Sequence, residues 1–161
     1  MITSADVVEE LARLGGTGAA VIVGTCDAAR VPEVSRAWGF CVLRAGNAIE
    51  ICVYAGSGRR TLANLAENAR AAVTITSQTT YRSVQVKGGA GVTAADEADL
   101  RRVAEHQRAF VEEVAAIGLP KEASVRLFED ERTDSPAMMK IRVGLDAVFD
   151  QTPGPGAGAR L

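Results

Sequence analysis

The spacing of apolar and polar positions changes character several times along the chain. Residues 4–14 put Val7, Val8, Leu11 and Leu14 on one side at helical spacing, and GGTG stops that pattern. Residues 18–26, GAAVIVGTC, are a continuous apolar run of strand length, which predicts a buried strand. DAARVPE reads as a turn, with Pro32 at the edge of the next strand over 33–43. In EVSRAWGFCVL, alternation puts Val34, Arg36, Trp38 and Phe40 on one face. RAGN turns the chain into 48–54, with Ile49, Ile51 and Val53 on one face and Cys52 and Tyr54 on the other.

A helix is predicted over 58–67, then strands over 70–77 and from about 81 to 93, with SQTT as the turn between them. A long helix follows over 96–117. Leu100, Val103, Phe110, Val114 and Ile117 form its apolar face, Gln107 interrupts it, and GLP ends it. Residues 120–135 are charged and irregular, with room for a short helix. Residues 137–149, AMMKIRVGLDAVF, alternate as one long strand with Met139, Ile141, Val143, Leu145, Ala147 and Phe149 on a single face. The Pro/Gly content of DQTPGPGAGARL excludes regular structure.

Six strands joined mostly by short turns predict an antiparallel sheet, and a small closed barrel removes its edges. The expected fold is mainly β with flanking helices: one domain over 1–150 and a tail over 151–161. No βαβ alternation suggests a Rossmann unit, and no internal repeat is found. The 161 residues suit one domain able to bury roughly 68–70% of its unfolded surface without a disulfide or metal staple. A hydrophobic fraction of 47% with 24% charged residues is that of a globular protein, and no apolar run approaches the roughly 20 residues of a membrane span. MITSADVVEELARLGG carries acids in a helical pattern, so no signal peptide and a cytoplasmic location are expected.

A net charge of -2 and only 4% aromatics argue against nucleic acid as a partner. The cations are 15 Arg and 3 Lys, a bias that lowers the weight of any single arginine. Cys26, Cys41 and Cys52 are odd in number, widely spaced and set in apolar runs, as expected of small hydrophobes. The one histidine, His106, reads as a polar helix-face residue; a lone haem or metal ligand is the alternative, with no supporting group nearby. No GxSxG elbow, Walker A loop or zinc spacing occurs, so no catalytic residue and no metal ligand is assigned. The GPGAG of the tail follows the last strand and opens no helix.

The most informative chemistry is in SGRRTLANL, residues 57–65. Ser57 is a good N-cap, yet Arg59 and Arg60 fall in the first helical turn, where the helix dipole disfavours a cation by about 0.3–1 kcal/mol. A bound phosphate would reverse that penalty, because helix N-termini and arginine forks both favour it. The alternative is two extended, solvated arginines. Arg36 on an otherwise apolar face needs a partner. Tyr81, Ser83, Gln85 and Lys87 share one strand face, either a solvated row or a hydrogen-bonding wall for a polar ligand.

Together, VSRAWGF, IEICVYAGSGRRTLANLAENARAAVTI and TTYRSVQVKG resemble the pyridoxamine 5'-phosphate oxidase-like FMN-binding split barrels over about residues 18–93. The resemblance implies a homodimeric six-stranded split β-barrel with FMN at the subunit interface and oxidoreductase activity on an unspecified small molecule. It implies that Arg36 approaches the flavin, that Ala37 and Trp38 line its ring, and that Tyr54 and Ala55 match a Tyr-Thr pair. Arg60 and Thr61 match an Arg-Lys pair that holds the FMN phosphate, with Thr61 in the lysine's place and Arg59 able to supply the charge. Ser83 matches a glutamine on the partner-facing strand, with Gln85 and Lys87 on the same face. Cys41 stands where the oxidase has a lysine, and the oxidase's C-terminal Trp and Arg have no counterpart. The deazaflavin F420 in the same fold, or a non-enzymatic flavin- or haem-binding protein, are the alternative readings.

Overall fold

Strand alternation closes the chain into a ring. The computed structural model describes residues 4–161. In chain order its elements are α1 (Ser4–Gly15), β1 (Ala20–Cys26), β2 (Pro32–Leu43), β3 (Ala48–Tyr54), α2 (Arg59–Asn68), β4 (Arg70–Thr76), β5 (Ser83–Ala94), α3 (Glu97–Ala116), α4 (Lys121–Asp134), β6 (Met138–Gly144) and β7 (Ala147–Asp150). Strands neighbour one another in the order β4-β1-β2-β3-β6-β5, all antiparallel, and a β4–β5 pairing closes the six-stranded barrel. Strand β7 is an addition on β5. Residues 1–3 of the N-terminal stretch lie outside the described residues. Among the described residues no helix is long and apolar enough to cross a membrane.

Inward positions of every strand fill the barrel. Val21, Val23, Ile51, Val73, Val84 and Ile141 are all essentially inaccessible. Each such side chain contributes about 1.5–3 kcal/mol by leaving water. Leu11 and Leu14 of α1 and Leu65 of α2 join the same core. A second apolar cluster lies outside the barrel wall. There Trp38, Cys52, Tyr54 and Met138 meet Val103, Phe110 and Val114 of α3, with Phe128 of α4 packed alongside.

Two register slips correct the simple alternation. In β2, Trp38 pairs with Cys52 but Cys41 pairs with Glu50, so one extra residue bulges between them, at Gly39 with φ +64. A one-residue slip reverses the facing of everything after it. Phe40 therefore enters the barrel core and does not share the outer face of Val34, Arg36 and Trp38. The second slip divides the expected strand at 137–149. Ala90 pairs with Val143 and Lys87 with Ala147, so four steps on one strand match three on β5. Beyond the bulge Val148 is the buried residue, while Ala147 and Phe149 are only half-buried.

Other expectations also shift. Residues 120–135 hold a full helix, α4, whose inward stripe of Ser124, Val125, Phe128 and Glu131 is too narrow to announce itself by hydrophobic period. The buried face of α3 is Val103, His106, Phe110, Val111 and Val114, while Leu100 and Ile117 are about half exposed. Tyr81 sits in the turn before β5 with φ +58 and is exposed, so it does not share the strand face of Ser83. The tail is irregular apart from one bridge, Phe149 to Arg160, and Leu161 packs back on the core.

Candidate functional site

The outer wall of the barrel gathers most of the residues singled out from the sequence. Arg36 lies beside Ile22, Ile22 beside Thr74, Thr74 beside Gln85, and Gln85 beside Phe149. The next row runs Val34, Gly24, Ala72, Lys87, Ala147. Ser83 lies beside Thr76 one row away. Arg36 and Gln85 thus share a wall but stand three strands apart, about 14 Å at the usual spacing. Gln85 Nε2 donates to Thr74 Oγ1 at 3.0 Å, Ser83 and Thr76 share a hydroxyl bond at 2.7 Å, and Lys87 Nζ lies 4.9 Å from the Phe149 ring centroid. Ile22, Thr74, Gln85 and Phe149 remain half-buried.

Helix α2 begins where β3 ends. The N-cap is Gly58, not Ser57, and no side chain caps the helix. Gly58 N–H donates to Tyr54 O at 2.8 Å, an approach so close that a Cβ there would stand 2.9 Å from the same oxygen. Arg59 and Arg60 are exposed beside uncapped helical N–H groups, and no acid occupies the first turn. Glu33 Oε2 lies 3.4 Å from Arg60 Nε. With the Arg60 side chain 66% exposed, that pair holds the guanidinium only weakly. Thr61 points the other way. It is fully buried, and its hydroxyl meets Ser35 Oγ at 2.7 Å. Asn64 Nδ2 donates to Thr25 Oγ1 at 3.0 Å, so α2 is docked on the end of β1 and the start of β2.

Arg36 and Trp38 leave the outer face of β2 and meet α4. Glu131 accepts from Trp38 Nε1 at 3.0 Å through Oε2 and from Arg36 Nη1 at 3.4 Å through Oε1. This is the partner that Arg36 required, and it comes from the charged segment whose role was illegible in the sequence. Trp38 is further enclosed by Phe110, Phe128 and His106, with ring centroids 5.3, 5.5 and 5.8 Å away. Ala37 faces the core. Tyr54 is buried, its hydroxyl accepting from Gln107 Nε2 at 3.1 Å, and Ala55 N–H donates to Ala137 O at 2.8 Å. A groove of about 660 Å³ between α3 and α4 adjoins this region, lined in part by Gln107, Arg108, Val111, Val125 and Phe128.

The bulge at Gly39 explains the single histidine. Gly39 N–H donates to His106 Nδ1 at 2.9 Å, so Nε2 carries the proton and donates to Ala19 O at 2.8 Å. Arg102 Nε donates to Gly39 O at 2.7 Å. The backbone groups freed by the bulge are thus both taken up by α3. Burial holds the His106 pKa below its ordinary 6.5, against the opposing pull of Ala19 O and Glu113. His106 is therefore buried and structural, not a polar helix-face residue. Burial also pushes the Cys52 thiol up to about 12, and Cys41 up as well, which leaves both poor nucleophiles at neutral pH. Among the described residues no group of His, Cys, Asp and Glu is placed to hold a metal ion.

The fold is shared with solved structures. HupZ from Group A Streptococcus superposes with a TM-score of 0.54 at 14% identity, covering 98% of this chain and 100% of that one. A protein described as a candidate pyridoxamine 5'-phosphate oxidase from Lactobacillus delbrueckii gives 0.53 at 17% identity, covering 88% and 91%. An F420 reductase gives 0.54 at 14% identity, covering 84% and 93%. The chain has the barrel fold of the pyridoxamine 5'-phosphate oxidase-like proteins. No family model matches the sequence, and no curated protein matches it.

Proposed function

We propose that the chain is an FMN-binding flavoprotein and an oxidoreductase, working as a homodimer with the cofactor at the subunit interface. The observation that carries this reading is the arrangement at the start of α2. Two exposed arginines, uncapped helical N–H groups and a first turn without acids form a site suited to a phosphate. Arg59 and Arg60 supply the charge and Thr61 its backbone N–H, since its hydroxyl is committed to Ser35. Arg60 stands beside Glu33 at the start of β2, and the flavin ring is assigned to Arg36 and Trp38 on the outer face further along that strand, with the backbone of Ala37 and the Tyr54–Ala55 end of β3, so the cofactor would pass round the edge of β2 from phosphate to ring. FMN supplies the hydride chemistry when bound, and the protein binds and orients it.

A second copy is expected on the half-exposed wall of Ile22, Thr74, Gln85 and Phe149, where Gln85 and Lys87 would reach the partner's cofactor, with Ser83, buried against Thr76 and Thr152, behind them. F420 is the second reading: an F420 reductase shares this fold, and the start of α2 suits the phosphate on a deazaflavin's side chain equally well. A haem held by His106 is disfavoured, because both ring nitrogens are already bonded. The test is the absorbance spectrum of the purified protein with mass spectrometry of the compound released on denaturation. Flavin bands with FMN released support the reading. A deazaflavin supports the second, and a colourless protein that takes up neither overturns both.

A further inference from the structure

We infer that α4 is a lid over the Arg36–Trp38 face, latched by Glu131, and that a flavin gains this face only when that carboxylate lets go. The latch rests on the structure alone; the identity of the arriving ligand rests on the FMN reading above. Helix α4 touches the molecule along a narrow stripe and exposes most of its surface. Its ties are few. Lys121 pairs with Glu112 of α3 at 2.6 Å at one end, with both side chains more than half exposed. Phe128 meets the edge of Trp38 in the middle, and Glu131 holds Trp38 and Arg36 at the far end. An open groove of about 660 Å³ runs along the junction of α3 and α4, lined in part by Val111, Val125 and Phe128.

Both flanks of α4 suit a hinge. Gly118 has φ +93, with open space around it, and Ser135 is extended before Pro136. The Glu131 carboxylate gives Arg36 an anionic acceptor and Trp38 Nε1 an acceptor oxygen. An electron-rich edge of a polar ring, such as the carbonyl edge of a flavin, offers those donors the same chemistry. Both Glu131 contacts end on side chains, so a ligand can replace them without breaking a strand ladder. The ligand then competes with a tethered carboxylate, and its apparent affinity falls in proportion to the fraction of molecules with the lid open.

The test compares the full-length protein with Glu131→Ala and, as a control on the exposed side of α4, Glu129→Gln. Hydrogen exchange read by mass spectrometry is expected to be about tenfold faster over residues 121–134 in Glu131→Ala, with the barrel strands unchanged and Glu129→Gln like the parent. Fluorescence of Trp38, the chain's only tryptophan, is expected to shift to the red in Glu131→Ala without ligand. FMN should bind Glu131→Ala about tenfold more tightly than the parent. Unchanged exchange over 121–134 overturns the latch, whatever FMN does. Equal FMN affinity in parent and variant overturns the gating and leaves the cofactor reading standing. If neither binds FMN, the cofactor reading falls and the exchange comparison still decides the latch.

Discussion

Strand β2 is held by two helices in two different ways. At Gly39, α3 grips the backbone: His106 accepts its N–H and Arg102 donates to its carbonyl, in a setting where His106 is 6% exposed. Three and one residues earlier, at Arg36 and Trp38, α4 grips side chains through the single carboxylate of Glu131. The first grip satisfies groups that cannot leave, because a bulged backbone has no other partner within its own sheet. The second satisfies groups that a ligand can satisfy equally well. The same strand therefore carries a permanent clamp and a replaceable one, and the replaceable one covers the face where the flavin is expected.

Breaking the clamp should cost the most. His106→Ala strands Gly39 N–H and Ala19 O away from water, and the expected loss is about 2–5 kcal/mol in urea unfolding. Gly39→Ala should lose about 2 kcal/mol or more by the same assay, since φ +64 disfavours a side chain and its Cβ would stand 2.9 Å from Val103 Cγ2. Arg59→Ala with Arg60→Ala should leave stability within about 1 kcal/mol, because both arginines are exposed, and should weaken FMN binding tenfold or more, about 1.5–3 kcal/mol. An unchanged FMN affinity in that pair removes the phosphate assignment.

The clamp also predicts a pH dependence. The folded protein holds His106 neutral, with its pKa lowered by burial from 6.5, whereas the unfolded chain protonates near 6.5. The unfolded state thus binds the extra proton first as pH drops. The His106 contribution is complete above about pH 6.5 and is lost as pH falls from there through the lowered folded value. Denaturant midpoints measured from pH 8 to pH 5 should decline over the lower half of that range, and His106→Gln should flatten the decline. Glu131→Ala should cost about 1.4 kcal/mol of global unfolding free energy, the tenfold easier opening of α4 read as a free energy, because the buried Trp38 indole N–H loses its acceptor.

The two grips also differ in how far the sequence announces them. The barrel was legible where alternation is uninterrupted: Ile49, Ile51 and Val53 face the core and Cys52 and Tyr54 face α3, as their spacing predicts. Past each bulge the pattern misleads, because an inserted residue reverses facing while leaving the apolar pattern intact, as with Phe40 and Val148. Gly39 and Gly144, next to those two slips, were the available signals. His106 could not be assigned from the sequence, because its partners belong to a bulge 67 residues and a loop 87 residues away. Glu131 escaped for a similar reason, although the lone charge of Arg36 on an apolar face correctly demanded a partner. Arg59 and Arg60 were legible through their conflict with the helix dipole, whereas the inward turn of Thr61 toward Ser35 depends on how α2 docks.

The central claim is that this face takes a flavin by its phosphate. The direct measurement is a titration of the full-length protein with FMN and with riboflavin, which lacks the phosphate, followed by quenching of Trp38 fluorescence. The account predicts saturable quenching by FMN and binding of riboflavin at least tenfold weaker. Equal binding of the two, or no binding of either, contradicts it.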